Sequence, residues 1–215
     1  MLNPDRVYSL TTTTPQDYDP IEIKWDTLTD LADAYKTDKG TIKHNYTQVY
    51  ELYITGKESS LLEIGVACGA SLKMWSEYLP NAQITGLDIR PECANICKGY
   101  DRINIVIDDA TTWIPNHKYD VIIDDGSHVS LDIVKTFENL WPLVNKGGFY
   151  VIEDMKCTHN PAYQKTFEFP KNPSDFWRKH VMAWLDEKMR KMDYRDSDIE
   201  YIHYYKELMV IKKHD

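Results

Sequence analysis

Between Ser60 and Asp154 short apolar runs alternate with longer stretches of helical spacing, and nothing else in the chain restricts its fold as strongly. SLLEIG, QITGLDI, INIVID, YDVIIDD and GGFYVIED are mostly apolar and no longer than eight residues each, as expected of strands buried on both faces of a parallel sheet. The segments between them, ASLKMWSEYL, PECANICKGY and SLDIVKTFENLWPLV, carry apolar residues at helical spacing. Such alternation implies right-handed βαβ crossovers and a doubly wound sheet. A long helix is expected from Ser174 to about Met192, with Trp177, Val181, Trp184 and Leu185 on one core-facing stripe. IEYIHYY and ELMVIKK are then joined too closely for anything but an antiparallel hairpin. The predicted class is α/β: a Rossmann-like seven-stranded doubly wound sheet, mostly parallel, with a C-terminal antiparallel hairpin.

A length of 215 residues suits one such domain. Residues 1–24 hold four consecutive threonines and three prolines without sustained periodicity, so an extended arm is expected there, with a single domain over 25–215. That domain divides into N-terminal helices (25–57), a sheet core (58–155) and the long helix with the hairpin (156–215). Asp26 is placed to cap TLTDLADAYK; after the turn at Thr37-Asp38-Lys39-Gly40, a second amphipathic helix is expected from about Tyr46 to Ile54. A formal net charge of -9 argues against gripping nucleic acid through its phosphates. No stretch of about 18 apolar residues is present and MLNPDRVYSL lacks an apolar signal core, so the expectation is a cytoplasmic protein without membrane contact. Cys68, Cys93, Cys97 and Cys157 form neither a CxxC pair nor a zinc spacing, and reduced, packed thiols are expected.

The first run leads into Glu63-Ile64-Gly65-Val66-Ala67-Cys68-Gly69-Ala70-Ser71. Gly65 and Gly69 permit a tight turn into the following helix and a close approach of backbone to ligand. The dinucleotide fingerprint GxGxxG is absent. The segment instead resembles the acidic-x-Gly-x-Gly-x-Gly motif of S-adenosylmethionine methyltransferases, with Ala67 at the middle glycine. Asp88 ends the second run about 20 residues on, where an acidic side chain accepts hydrogen bonds from both ribose hydroxyls. The third run ends in Asp108-Asp109, and Asp109 is favoured for the adenine amino group by the same resemblance. Glu63, Gly65, Gly69, Ser71, Asp88 and Asp109 are thus the candidate cofactor residues.

The fourth run ends in Asp124-Asp125-Gly126-Ser127-His128 and the fifth in Glu153-Asp154, which collects carboxylates at the carboxyl edge of the sheet, where open α/β folds bind ligands. Crowded like charges disfavour one another's ionisation. A hard divalent ion relieves this, and Mg²⁺ takes a few carboxylates while leaving positions for water and substrate. Asp125, Glu153 and Asp154 are the expected ligands. A sugar hydroxyl holds its proton tightly at neutral pH, and coordination to a Lewis acid lowers that pKa. His128, three residues past Asp125, is then the expected general base.

TDKG with His44, Tyr46 and Tyr50 behind it, LLEIGVACGASLKMWSEYLPNAQITGLDI, VIIDDGSH and GGFYVIEDM together resemble the metal-dependent sugar O-methyltransferases of macrolide tailoring, of the mycinamicin VI and macrocin type. The resemblance covers roughly residues 27–155. It implies magnesium at Asp125, Glu153 and Asp154, His128 as base, and closure of the cofactor pocket by TDKG, hence Asp38 among the cofactor residues. The implied activity is methyl transfer from S-adenosylmethionine to a hydroxyl of a sugar, a deoxyhexose such as rhamnose in a glycan or glycosylated metabolite. Methylation of a catechol or other vicinal diol, and a non-catalytic cofactor-binding module, are the alternatives. Homo-oligomerisation is left open.

Overall fold

The computed structural model describes residues 27–160 and 173–215, the side chains of 173–177 excepted. Strands β1 (Ser60–Ile64), β2 (Gln83–Asp88), β3 (Ile103–Ile107), β4 (Tyr119–Asp124), β5 (Val144–Ile152), β6 (Ile199–Tyr204) and β7 (Met209–Lys213) form one sheet in the order β3-β2-β1-β4-β5-β7-β6. β1 to β5 pair in parallel, while β7 lies antiparallel to both β5 and β6. The strand order reverses between β1 and β4, and a doubly wound sheet opens its ligand crevice at such a switch point.

Among the described residues five α-helices accompany this sheet: α1 (Leu28–Tyr35), α2 (Thr47–Tyr50), α3 (Ala70–Tyr78), α4 (Ser130–Leu140) and α5 (Pro173–Asp193). Because successive strand residues face opposite sides, Leu61, Val121, Ile123, Val151 and Val210 join the core beneath α1 to α3, with Leu28, Tyr50 and Trp75. Leu62, Ile122, Tyr150, Ile152 and Ile211 join the other core with Phe137, Val181 and Trp184 of α4 and α5. Val181 and Trp184 are buried and Leu185 packs against them, as the helical stripe predicts; Trp177 lies outside the described side chains.

Three local expectations are corrected. Thr27 caps α1: its hydroxyl accepts from the Asp30 amide at 3.1 Å and Asp30 Oδ2 accepts from the Thr27 amide at 3.1 Å. This capping box occupies the position expected of Asp26, which lies outside the described residues, as does the 1–24 arm. The helix expected from Tyr46 to Ile54 is a single turn, α2, which tightens afterwards as Leu52 N donates to Val49 O and Tyr53 N to Tyr50 O. PECANICKGY forms no α-helix but a 3-10 turn, Pro91–Asn95, and chain reversals that end at Gly99 with φ +96°. Cys93 and Cys97 remain buried together there, their sulfurs 3.8 and 4.0 Å from the carbonyls of Ala67 and Gly69, so the thiols pack behind the glycine loop. Among the described residues no helix is long and apolar enough to cross a membrane.

Candidate active site

At the switch point the chain leaves β1 at Gly65 with φ +95°, and a Cβ there would lie 2.2 Å from the Asp125 carbonyl oxygen. Only glycine allows that approach in a conformation L side chains rarely adopt. Beside it lies a cavity of about 400 Å³ lined by Gly65, Asp88, Arg90, Asp109, Asp124 and Ser127, among others. That volume is within the range of small-molecule sites. Asp109 Oδ1 accepts from the amide and hydroxyl of Thr111 at 2.9 and 2.8 Å, which fixes its carboxyl at the cavity wall. Ile89, 67 % exposed, offers an apolar surface at the same wall.

Asp88 is already saturated. Oδ2 accepts from the Val66 amide and Arg90 Nη2, both at 2.9 Å, and Oδ1 from the Arg90 amide and Nε at 2.9 and 3.0 Å. Burial works to raise its pKa, but the Arg90 fork and the two amides outweigh it and hold the carboxyl well below the usual range. A ribose diol would therefore have to displace the Arg90 fork, whose side chain is 49 % exposed. The remaining expected cofactor residues lie away from this lining. Gly69, with φ +73°, precedes α3, and a Cβ there would meet Ile96 Cγ2 at 2.6 Å and Cys97 Sγ at 2.8 Å, so the packing around it admits only glycine. Ser71 is buried in the first turn of α3, and Glu63 is buried beneath the sheet edge. Asp38 pairs with Lys43 at 3.1 Å on the neighbouring acidic site instead.

Alternation along the strands sorts the acids. Glu63 shares a face with Leu61, Asp125 with Ile123 and Glu153 with Val151, all beneath α1 to α3. Lys39 enters from that side. Its Nζ lies 2.8 Å from Asp125 Oδ2, 2.8 Å from both Glu153 oxygens and 3.2 Å from Glu63 Oε1. Burial opposes its charge, but the three carboxylates outweigh burial and raise its pKa well above the ordinary value. Tyr50 donates its hydroxyl to Glu153 Oε1. Asp124 takes the opposite parity and faces α4, bonded by the Gly126 amide and the Tyr150 hydroxyl; burial pushes its carboxyl up to about 7.

Asp154 and His128 escape the alternation because both adopt left-handed backbone, φ +51° and +57°. For residues other than glycine this costs about 1–3 kcal/mol and is concentrated at functional sites. The turns bring His128 Nε2 to 3.9 Å from Asp125 Oδ1 and 4.0 Å from Asp154 Oδ2. Donor atoms of Asp125, His128 and Asp154 all lie within 4.8 Å of one another. His44, Asp154 and Glu207 form a second such group, so Asp154 stands between two clusters. Glu153, expected among the metal ligands, is instead turned inward onto Lys39 and Tyr50, because its strand parity points it beneath the sheet. The donor set at the surface of the site is two carboxylates and an imidazole. Two carboxylates with open positions suit Mg²⁺, which keeps several waters.

Sheet order, glycine turn and cavity define a Rossmann-like methyltransferase fold. Residues 62–155 match the family described as Methyltransferase domain. The 8-demethyl-8-alpha-L-rhamnosyl tetracenomycin-C 2'-O-methyltransferase of Streptomyces olivaceus is 32% identical over 158 residues, 66% of this chain and 41% of that protein. Mycinamicin VI 2''-O-methyltransferase of Micromonospora griseorubida is 32% identical over 159 residues, 63% of this chain and 38% of that protein. Among solved structures, the MycE methyltransferase of the mycinamycin biosynthetic pathway, in complex with Mg and SAH, superposes with a TM-score of 0.73 at 26% identity, covering 89% of this chain and 55% of that one. Over residues 62–155 the chain matches a methyltransferase domain and it is similar to sugar O-methyltransferases, spanning about two fifths of the length of these curated relatives.

Lys39, Arg90 and Glu207 escaped the sequence-based selection of site residues. A lysine in an Asp-Lys-Gly turn has the local signature of an exposed residue. The signal that could have found it is the shared parity of Glu63, Asp125 and Glu153, three acids on one buried face that need a cation.

Proposed function

We propose that this chain transfers a methyl group from S-adenosylmethionine to a hydroxyl of a sugar-containing acceptor, assisted by a divalent cation. The observation that carries the reading is the convergence of Asp125, Asp154 and His128, with Gly126 and Ser127, which connect Asp125 to His128, lining the cavity of about 400 Å³. Asp88, Asp109 and the Gly65 turn would hold the nucleoside end. Asp125 and Asp154 would hold the cation. The bound cofactor supplies an electrophilic methyl group, and the cation supplies Lewis acidity toward the acceptor hydroxyl. His128 receives the hydroxyl proton on Nε2, and the flanking carboxylates stabilise the imidazolium that results. Deoxyhexose acceptors such as rhamnosides fit this reading because adjacent ring hydroxyls can span the cation and the base, and the relatives named above are rhamnosyl and macrolide-sugar methyltransferases.

The test is a labelled-methyl assay with a rhamnoside and a catechol side by side, before and after treatment with EDTA. Transfer to the rhamnoside that vanishes with EDTA and returns with Mg²⁺ supports the reading. Full transfer by the metal-stripped protein, or transfer to the catechol alone, rules it out.

A further inference from the structure

Lys39 sits in the turn between α1 and α2, outside the matched 62–155 span, with its side chain 1% exposed. An ammonium has three donors, and here three strand tips surround it: Glu63 from β1, Asp125 after β4 and Glu153 after β5. Lys39 takes Asp125 Oδ2, while Oδ1 is the oxygen that faces His128. Asp154 is divided in the same way: Tyr46 donates to Oδ1 at 2.7 Å, and Oδ2 faces His128. The segment ahead of the domain match thus decides which oxygen each acid presents to the site. It also closes off Glu153 altogether.

We propose that Lys39 is a positioning residue for methyl transfer: a built-in cation that neutralises the inner carboxylates and turns Asp125 Oδ1 outward, confining a divalent ion to the outer position between Asp125 and Asp154, beside His128. The inference rests on the metal-assisted reading above. Without the ammonium, Glu153 and Asp125 Oδ2 become available to a cation deeper in the cleft. The site then gains negative charge and attracts the ion more strongly, but in a place from which it no longer serves an acceptor held against His128.

The experiment compares wild-type protein with Lys39→Met, Lys39→Arg and the double variant Lys39→Met/Glu63→Gln. The double variant removes one buried carboxylate together with its counter-ion, since a buried charge left unpaired is strongly destabilising. Mn²⁺ is titrated into each protein in the presence of S-adenosylhomocysteine, bound ion is followed by electron paramagnetic resonance, and kcat is measured with the rhamnoside. Mn²⁺ affinity is expected to rise about tenfold or more in the double variant, not through net charge, which is unchanged, but because Glu153 and Asp125 Oδ2 are released as additional carboxylate ligands. Turnover in that variant is expected to fall about a hundredfold through misplacement of the ion. Lys39→Arg is expected to keep wild-type Mn²⁺ affinity and regain part of kcat.

A folded double variant with unchanged affinity and turnover, or one in which both fall in step with the folded fraction, overturns the proposal. Failure of the underlying reading looks different: the wild-type protein would bind no Mn²⁺ and transfer methyl groups in EDTA, which removes the inference along with the metal.

Discussion

Asp88 shows most sharply how a single residue can be identified from its place in the chain and still surprise in its contacts. Its position at the end of β2 was legible, because the apolar run QITGLDI fixes the strand and its acidic end. The Arg90 fork was not, since an arginine two residues past an aspartate has no local signature of pairing. Charge-assisted hydrogen bonds contribute about 1.5–3 kcal/mol each, so Asp88→Asn should weaken S-adenosylhomocysteine binding about 10–100-fold by calorimetry. Arg90→Ala is expected to act in the opposite direction, tightening binding severalfold in the same titration, because the ribose no longer competes with a guanidinium. Loss of affinity in Arg90→Ala would mean that the arginine itself holds the cofactor.

Elements were legible wherever periodicity was long enough to be unambiguous. All seven strands and the helices α1, α3, α4 and α5 were anticipated, because alternating apolar runs and 3.6-residue stripes reflect burial that neighbours in the chain share. Tyr46 to Ile54 and PECANICKGY are no shorter than α1 and α3, yet they tighten into turns, with Tyr50 held by Glu153 and with Cys93 and Cys97 packed behind the glycine loop. The glycine loop is the other element under local constraint: Ala67 sits at φ +46°, where the resembled motif has glycine. Left-handed backbone costs an L-residue roughly 1–2 kcal/mol, while added chain entropy from glycine returns about 0.4–1 kcal/mol. Ala67→Gly should therefore leave stability unchanged or raise it by up to about 1.6 kcal/mol in denaturant unfolding. A clear loss would show that the alanine methyl packs usefully in the loop.

For the whole molecule, the cavity at the switch point lies between the two halves of the sheet, with β1 and β2 on one side and β4 on the other. A ligand there ties both halves to the native state. At 100 times its dissociation constant, S-adenosylhomocysteine should stabilise the fold by about 2.7 kcal/mol. For a domain of this size that corresponds to a rise in Tm of roughly 5–11 °C, readable by calorimetric or fluorescence melting. An unchanged Tm at saturating ligand would rule out binding in this cavity.

The alternation of strands and helices, the glycine turn and the row of acids at the strand ends were determined by the sequence itself, because each depends on spacing along the chain. What those acids do was decided only by the tertiary structure. Lys39 meets Asp125 and Glu153 across 86 and 114 residues of chain, a distance no local periodicity reports. Burial with that lysine turns Glu153 inward, and two left-handed backbone turns bring Asp154 and His128 together. Charge and conformation at these points are set by what the folded chain packs against them.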